Sequence, residues 1–293
     1  MKPPPFEYHA PVSVDEALAA LAETGTHGKV LAGGQSLIPL LNMRLAAPSH
    51  LVDINRVGEL DTIAAGPDGV RVGALARHAA VERSAEAAAA LPLLRQALAL
   101  VAHPVIRNRG TVVGSLVHAD PSAEMPAVLA LLGGSVRLAR LGGEREVAAA
   151  DFFTGPMESA AEPGELAVSA FFPAPPPRSG TAFHEVARRH GDYAVAGMAA
   201  LVTLDEDLRI AAARVACVSV GPGPVVIDLS DACGRRPAAS VAWDAVAAAV
   251  RDRIDPEGDI HATAVYRRHL TGVLAVRALK EAAGNAGTEA AHE

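Results

Sequence analysis

Residues 29–41 read KVLAGGQSLIPLL, and their order decides how the chain begins. Lys29 to Ala32 has the composition of a short buried strand, Gly33-Gly34 makes a tight turn, and Ser36 stands where a hydroxyl caps a helix over LIPLLNMRL. Pro39 falls in the first helical turn, where a missing N–H is tolerated. Strand, bare turn and helix N-terminus in this order present main-chain N–H groups, and the positive end of a helix dipole, to an anion. His50 to Ile54 reads as a second strand, so the first fifty-odd residues form a compact strand-and-helix unit. Upstream, Ser13 and Glu16 make a capping box ahead of Val14, Ala17, Leu18 and Leu21, which are spaced for a helix of about ten residues.

A turn of the same kind recurs at 110–115, GTVVGS. A neutral hydrogen bond nets only about 0.5 to 1.5 kcal/mol, so a phosphate held without lysine needs several donors at once. Two such turns supply them, whereas either alone reads better as a plain tight turn.

Between and beyond these turns, the punctuation is clear. Gly66-Pro67-Asp68-Gly69 joins two β-like runs over 61–74, and Gly142-Gly143 does the same over 135–148, so each predicts a hairpin. Residues 78–102 are helical in composition with a break at Pro92. Asp120-Pro121 and Pro126 signal the start of a helix that Gly133-Gly134 stops. The proline-rich FFPAPPPRSG at 171–180 is the domain linker. Three β-like runs over 181–220, then helices over 241–253 and 262–283, predict an antiparallel sheet with helices layered on it. Asp205-Glu206-Asp207 reads as a solvated hairpin tip, and the small, polar end of the chain as a frayed tail.

Composition narrows the function. In 293 residues the formal charge is −7, with no basic stripe, so nucleic acid is excluded as a partner. Cys217 and Cys233 are the only cysteines, too few for a disulfide framework or a four-thiolate iron–sulfur site, and they fit a reducing compartment. The prolines of MKPPPFEYHAP replace the apolar core of a signal peptide, and no apolar run reaches the roughly 20 residues that span a bilayer. There is no GxGxxG fingerprint, no GK[ST] ending, no HExxH and no GxSxG elbow. The eleven histidines show no metal-ligand spacing and read as dispersed. In GDYAVAG, at 191–197, Tyr193 stands at a strand start, where a ring either packs into the sheet or lies on the surface facing the first domain.

Three stretches, AGGQSLIPLLNMRLAAPSHLVDI (32–54), RNRGTVVGSLVHADPSAEMPAVLALLGG (107–134) and RRHGDYAVAGMAA (188–200), together resemble the FAD-binding medium subunit of molybdenum hydroxylases, the group of carbon monoxide dehydrogenase and xanthine dehydrogenase. The similarity runs in order over nearly the whole chain. It implies an α+β protein: a PCMH-type (vanillyl-alcohol-oxidase-like) FAD-binding fold in two subdomains, 1–55 and 56–176. A C-terminal α+β domain with antiparallel sheet and helices, 177–286, covers the flavin, and 287–293 is a flexible tail. The resemblance puts the FAD diphosphate in a first cradle of Ala32, Gly33, Gly34, Gln35, Ser36 and Leu37. The second cradle is Gly110, Thr111, Val113, Gly114 and Ser115. Asp120 would bond polar cofactor atoms, with His118, Ser122 and Glu124 nearby. Tyr193 would pack near the isoalloxazine ring, and Leu166 and Val168 would line its pocket.

The same resemblance implies a molybdopterin-containing large subunit and an iron–sulfur small subunit as partners, a dimer of heterotrimers, and electron delivery to quinone, NAD or dioxygen. It implies a cytoplasmic oxidoreductase with peripheral attachment at the inner face of the membrane through the complex. No catalytic base and no metal ligand in this chain is required. One departure is plain: the family commonly has TIGGN where this chain has TVVGS. Val113 would strain a turn that needs positive φ. A self-contained flavoprotein oxidoreductase, or a cofactor-free assembly protein of the same fold, are the rival functions, and Val113 is the one feature favouring the latter.

Overall fold

In the computed structural model, which describes residues 2–290, the chain opens with a parallel sheet. Its strands are β1 (Glu7–His9), β2 (Gly28–Leu31) and β3 (His50–Asp53), in the order β1-β3-β2. Parallel neighbours need crossovers, supplied by α1 (Val14–Thr24) and α2 (Leu37–Met43). Ser13 Oγ accepts the Glu16 N–H at 3.2 Å, and the Glu16 carboxylate reaches back to the Val12 N–H at 2.9 Å. Ala17, Leu18 and Leu21 of α1 then pack with Val52 in the main core. Ser36 departs from expectation. Its backbone is already helical (φ −97°, ψ −44°) and its hydroxyl makes no cap, because a capping side chain returns to the amides only from extended φ/ψ.

The second unit is an antiparallel sheet of β4 (Ile63–Gly66), β5 (Gly69–Gly73), β6 (Ser135–Arg140), β7 (Gly143–Ala148) and β10 (Leu166–Pro173), ordered β4-β5-β10-β6-β7. Both expected hairpins are present. The helices α3 (His78–Arg83), α4 (Ala85–Ala90), α5 (Pro92–Leu98), α6 (Pro104–Arg107), α7 (Val112–His118) and α8 (Glu124–Leu132) are inserted between β5 and β6. The helical stretch breaks at Ser84 as well as at Pro92: Ser84 is extended, and its hydroxyl accepts the Ala87 N–H at 3.1 Å to start α4. Gly133, left-handed at φ 67°, ends α8. A short α9 (Ala149–Phe152) and the pair β8 (Phe153–Gly155) and β9 (Glu158–Ser159) lead into β10.

After residues 174–178 comes an antiparallel sheet in sequential order: β11 (Ser179–Ala187), β12 (Ala194–Leu204), β13 (Ile210–Val218) and the unanticipated β14 (Val225–Asp228). The helices α10 (Ser230–Cys233), α11 (Trp243–Arg251) and α12 (Ala264–Ala290) follow. β12 is buried on both faces. Met198, Ala200 and Val202 join Val246, Leu274 and Leu279 in one core, while Ala199 and Leu201 join Leu94 of α5 and Leu129 of α8 in the other. The C-terminal sheet is thus held between its own helices and those of the preceding unit. α12 continues to Ala290 through much of the stretch read as tail, and residues 291–293 lie outside the described residues. Among the described residues no helix is long and apolar enough to cross a membrane.

Candidate functional site

The two glycine turns touch. A Cβ on Gly33 would lie 2.5 Å from the Arg109 carbonyl oxygen and 2.8 Å from the Gly110 Cα, so the turns close on each other only because Gly33 lacks a side chain. Gly110 in turn presses on the His78 ring, 3.0 Å from where its Cβ would be. Burial, and then the positive charge of Arg107, push the His78 pKa down to about 4, which keeps the ring neutral at pH 7. Gly34 carries the positive φ of the first turn, 73°.

A side-chain clamp holds the turns in register. Asn55 Nδ2 donates to the Ala32 carbonyl at 2.8 Å, Arg77 Nη2 donates to Asn55 Oδ1 at 2.5 Å, and Arg77 Nη1 donates to the Arg109 carbonyl at 2.5 Å. The main chain adds His78 N–H to Gly110 O at 2.9 Å and Val112 N–H to Ala76 O at 3.1 Å. Neither Asn55 nor Arg77 belongs to a glycine motif, and sequence reasoning did not single them out.

Both turns carry main-chain donors that no protein acceptor uses. The N–H groups of Gly33, Gly34, Gln35, Ser36 and Leu37, and those of Thr111 and Val113, have no acceptor among the described residues. Most buried or half-buried N–H groups in folded proteins are paired, so seven unpaired ones on two touching turns mark a place for an acceptor from outside the chain. The Ser36 hydroxyl is uncommitted for the reason given above. Gln35 folds back, its Nε2 donating to the Gly33 carbonyl at 3.2 Å. In the second turn, Thr111 caps α7 by accepting the Gly114 N–H at 3.1 Å, and Gly114 and Ser115 lie inside that helix. Val113 is helical too, and 2 % exposed. The expected strain is therefore absent: no positive φ is asked of a β-branched residue, and the one feature favouring a cofactor-free protein falls away.

Beyond α7 the chain turns at Ala119, left-handed at φ 51°, and Asp120 accepts the Ser122 N–H at 2.8 Å. Ser122 Oγ is hydrogen-bonded to Ser219 Oγ at 2.9 Å, and the Ser219 N–H donates to the Pro121 carbonyl at 2.9 Å, so this loop is tied to the C-terminal sheet. Arg267, buried in α12, donates to the carbonyls of Val195 and Ser219 at 2.6 and 3.3 Å and fixes the strand that follows Tyr193. The Tyr193 ring is 67 % exposed. Desolvation and the charges of Asp120 and Glu124 raise its phenol pKa, which brings residues about 70 positions apart in sequence to one place.

Glu124, whose charge acts on Tyr193, is one of two neighbouring carboxyls. Glu124 is the first residue of α8 and buried; desolvation, and then the neighbouring Glu185, raise its pKa to about 8. Glu185 comes from β11, desolvation raises its pKa to about 7, and its Oε2 is buried without a partner. Near pH 7 the pair holds at least one proton between two carboxyls, which makes it both donor and acceptor. His118 lies nearer the first sheet, its pKa lowered by burial and by Lys29 against the opposing pull of Asp120. Leu166 is sealed in the main core, whereas Val168, half-buried beside it on β10, offers its carbonyl to the Ala74 N–H at 3.0 Å. Two concavities, of about 460 Å³ at the Arg140–Arg145 hairpin and about 320 Å³ between Ala211 and Arg235, lie on other parts of the surface and adjoin none of these residues.

Residues 4–175 match the family model described as the FAD binding domain in molybdopterin dehydrogenase. The chain belongs to this FAD-binding family. Residues 181–282 match a second model, the CO dehydrogenase flavoprotein C-terminal domain. Among relatives, the 6-hydroxypseudooxynicotine dehydrogenase complex subunit alpha of Paenarthrobacter nicotinovorans is 42% identical over 96% of both chains. The carbon monoxide dehydrogenase medium chain of Afipia carboxidovorans is 34% identical over 98% of this chain and 99% of its own. The solved quinoline 2-oxidoreductase from Pseudomonas putida 86 superposes with a TM-score of 0.91 at 36% identity, over 98% of this chain and 99% of that one. FAD is accordingly the cofactor of this family member, which is a subunit of an oxidoreductase of the molybdenum hydroxylase class, and the row of free amides fits a diphosphate.

Proposed function

We propose that this chain is the FAD-carrying electron-transfer subunit of a molybdenum hydroxylase. Substrate is oxidised on a molybdopterin-containing large subunit, electrons pass through iron–sulfur clusters on a small subunit, and this chain delivers them to quinone, NAD or dioxygen. The assembly is a dimer of such heterotrimers, with its peripheral membrane contact made through the complex. The observation that carries the reading is the pair of touching turns with seven unused N–H groups.

When bound, FAD supplies the ability to take up electrons singly and release them as a pair. The protein's share is to hold and tune. The N–H groups of Gly33 to Leu37, Thr111 and Val113 offer neutral donors to the diphosphate; Asn55 and Arg77 keep those donors aimed. Asp120, Glu124 and Ser122 present polar atoms between the domains, with His118 and Val168 flanking and Leu166 shaping the wall from behind. Tyr193 offers an aromatic face to the flavin ring. The buried Glu124–Glu185 pair can yield or accept a proton close by without bulk water.

Expression of the chain alone should give a yellow protein, and purification from its native source should bring both partners. Tyr193→Ala should keep the flavin while shifting its spectrum and potential. A folded chain that refuses added FAD refutes the reading.

A further inference from the structure

A second cluster lies at the opposite end of the N-terminal sheet. Parallel pairing of β1 with β3 sets Glu7 beside His50 and His9 beside Val52, so Glu7, His9 and His50 share one face. Tyr8 points the other way and donates its hydroxyl to Asp53 at 2.6 Å. His9 Nε2 lies 3.1 Å from His50 Nδ1, His50 Nδ1 lies 3.6 Å from Glu7 Oε2, and all three donor atoms fall within 4.8 Å of one another. The reading of the histidines as dispersed is corrected here: the third donor arrives from a strand 41 residues on, which no sequence spacing could reveal.

We propose that Glu7, His9 and His50 form a binding site for one divalent first-row transition metal ion, with zinc as the ion to test. A zinc ion about 2.0 to 2.1 Å from two nitrogens at octahedral to tetrahedral angles sets them roughly 2.9 to 3.4 Å apart. The 3.1 Å imidazole pair already has that spacing. Glu7 is 77% exposed at its side chain, so its carboxylate is free to swing in as the third ligand. Two imidazoles and a carboxylate favour zinc, nickel or copper over magnesium and calcium, which prefer oxygen donors. Without metal a single proton bridges the two rings, and the ion takes its place. The three-residue edge strand β1 would thereby be clipped to β3. Glu7 and His50 stand at the N-terminal ends of β1 and β3, whereas the Gly33 turn follows the C-terminal end of β2, so the site does not need the flavin to be bound.

The test is equilibrium dialysis and calorimetry of the untagged full-length chain with zinc chloride alone, magnesium serving as control. One zinc per chain is expected, with affinity at least about tenfold weaker in His9→Ala and in His50→Ala and unchanged in His27→Ala. Flavin content should be unaltered in all three. Glu7→Gln cannot perturb the core and should also weaken binding, which keeps the proposal testable if a histidine variant misfolds. Absence of saturable uptake, or uptake indifferent to Glu7→Gln or to both histidine substitutions, overturns it.

Discussion

Adding one methyl group at Gly33 should separate the two halves of the proposed FAD cradle. In Gly33→Ala the new Cβ would stand 2.5 Å from the Arg109 carbonyl oxygen, 2.8 Å from the Gly110 Cα and 3.1 Å from the Thr111 nitrogen. All three are main-chain atoms of a segment pinned by Arg77, by the His78 N–H that Gly110 O accepts and by the Val112 N–H donated to Ala76 O, so the first turn must be the one to move. Reaching an ordinary 3.4 Å contact requires a displacement of about 0.9 Å, enough to break the 2.8 Å bond from Asn55 to the Ala32 carbonyl. Overpacking costs about 1 to 3 kcal/mol and a lost hydrogen bond about 1 more. If all of it falls on the bound state, 2 to 4 kcal/mol corresponds to a roughly 30- to 1000-fold loss of FAD affinity. Titrating FAD into deflavinated protein, with circular dichroism to verify the fold, reads the effect. Gly66→Ala is the control, since nothing lies within 4 Å of its Cβ position. A folded Gly33→Ala protein that binds FAD as tightly as the parent refutes the two-turn cradle.

Three other substitutions probe the remaining parts. Arg77→Ala removes both arms of the clamp and should weaken FAD binding by about 10-fold, from roughly 1 to 2 kcal/mol of lost hydrogen bonding, with Asn55→Ala close behind in the same titration. Val113→Gly restores the family's usual residue, yet it should lower stability by about 2 to 4 kcal/mol, through lost burial and helix propensity, without gain in FAD affinity; urea unfolding and flavin titration check the two halves. Glu124 and Glu185 have raised pKa values in the folded chain, about 8 and about 7 against an ordinary 4.5. The folded state therefore binds protons more strongly, and the stability linked to this pair is full below pH 4.5 and lost as pH rises towards 8. Glu124→Gln should thus raise Tm relative to the parent, by an increment that grows from pH 5 to pH 8. A pH-independent increment would contradict the assignment.

The parts of this molecule that were legible in sequence are those set by local chemistry. Gly33-Gly34, the turns at Pro67-Asp68 and Gly142, the stop at Gly133 and the Ser13–Glu16 cap each act within a few residues, and each is where its residues predicted. Parts settled by distant partners were not legible. Asn55 and Arg77 look like ordinary polar residues until folding sets them 22 residues apart in sequence but within a hydrogen bond of each other. Glu185 sits in an unremarkable strand, and only the approach of α8 places it beside Glu124. Val113 misled in the other direction. The family's glycine suggested a left-handed turn, whereas Thr111 caps a helix that takes a β-branched residue in its first turn. Ser36 lost its predicted cap because the helical backbone begins one residue early.

The most direct test is a crystal or cryo-EM structure of the FAD-loaded chain. Diphosphate oxygens should lie about 2.7 to 3.2 Å from main-chain nitrogens of both the Gly33–Leu37 turn and the Thr111–Val113 turn, with Asn55 and Arg77 still joining the two. A diphosphate bound to one turn alone, or held elsewhere while those N–H groups stay unpaired, would contradict the two-turn cradle.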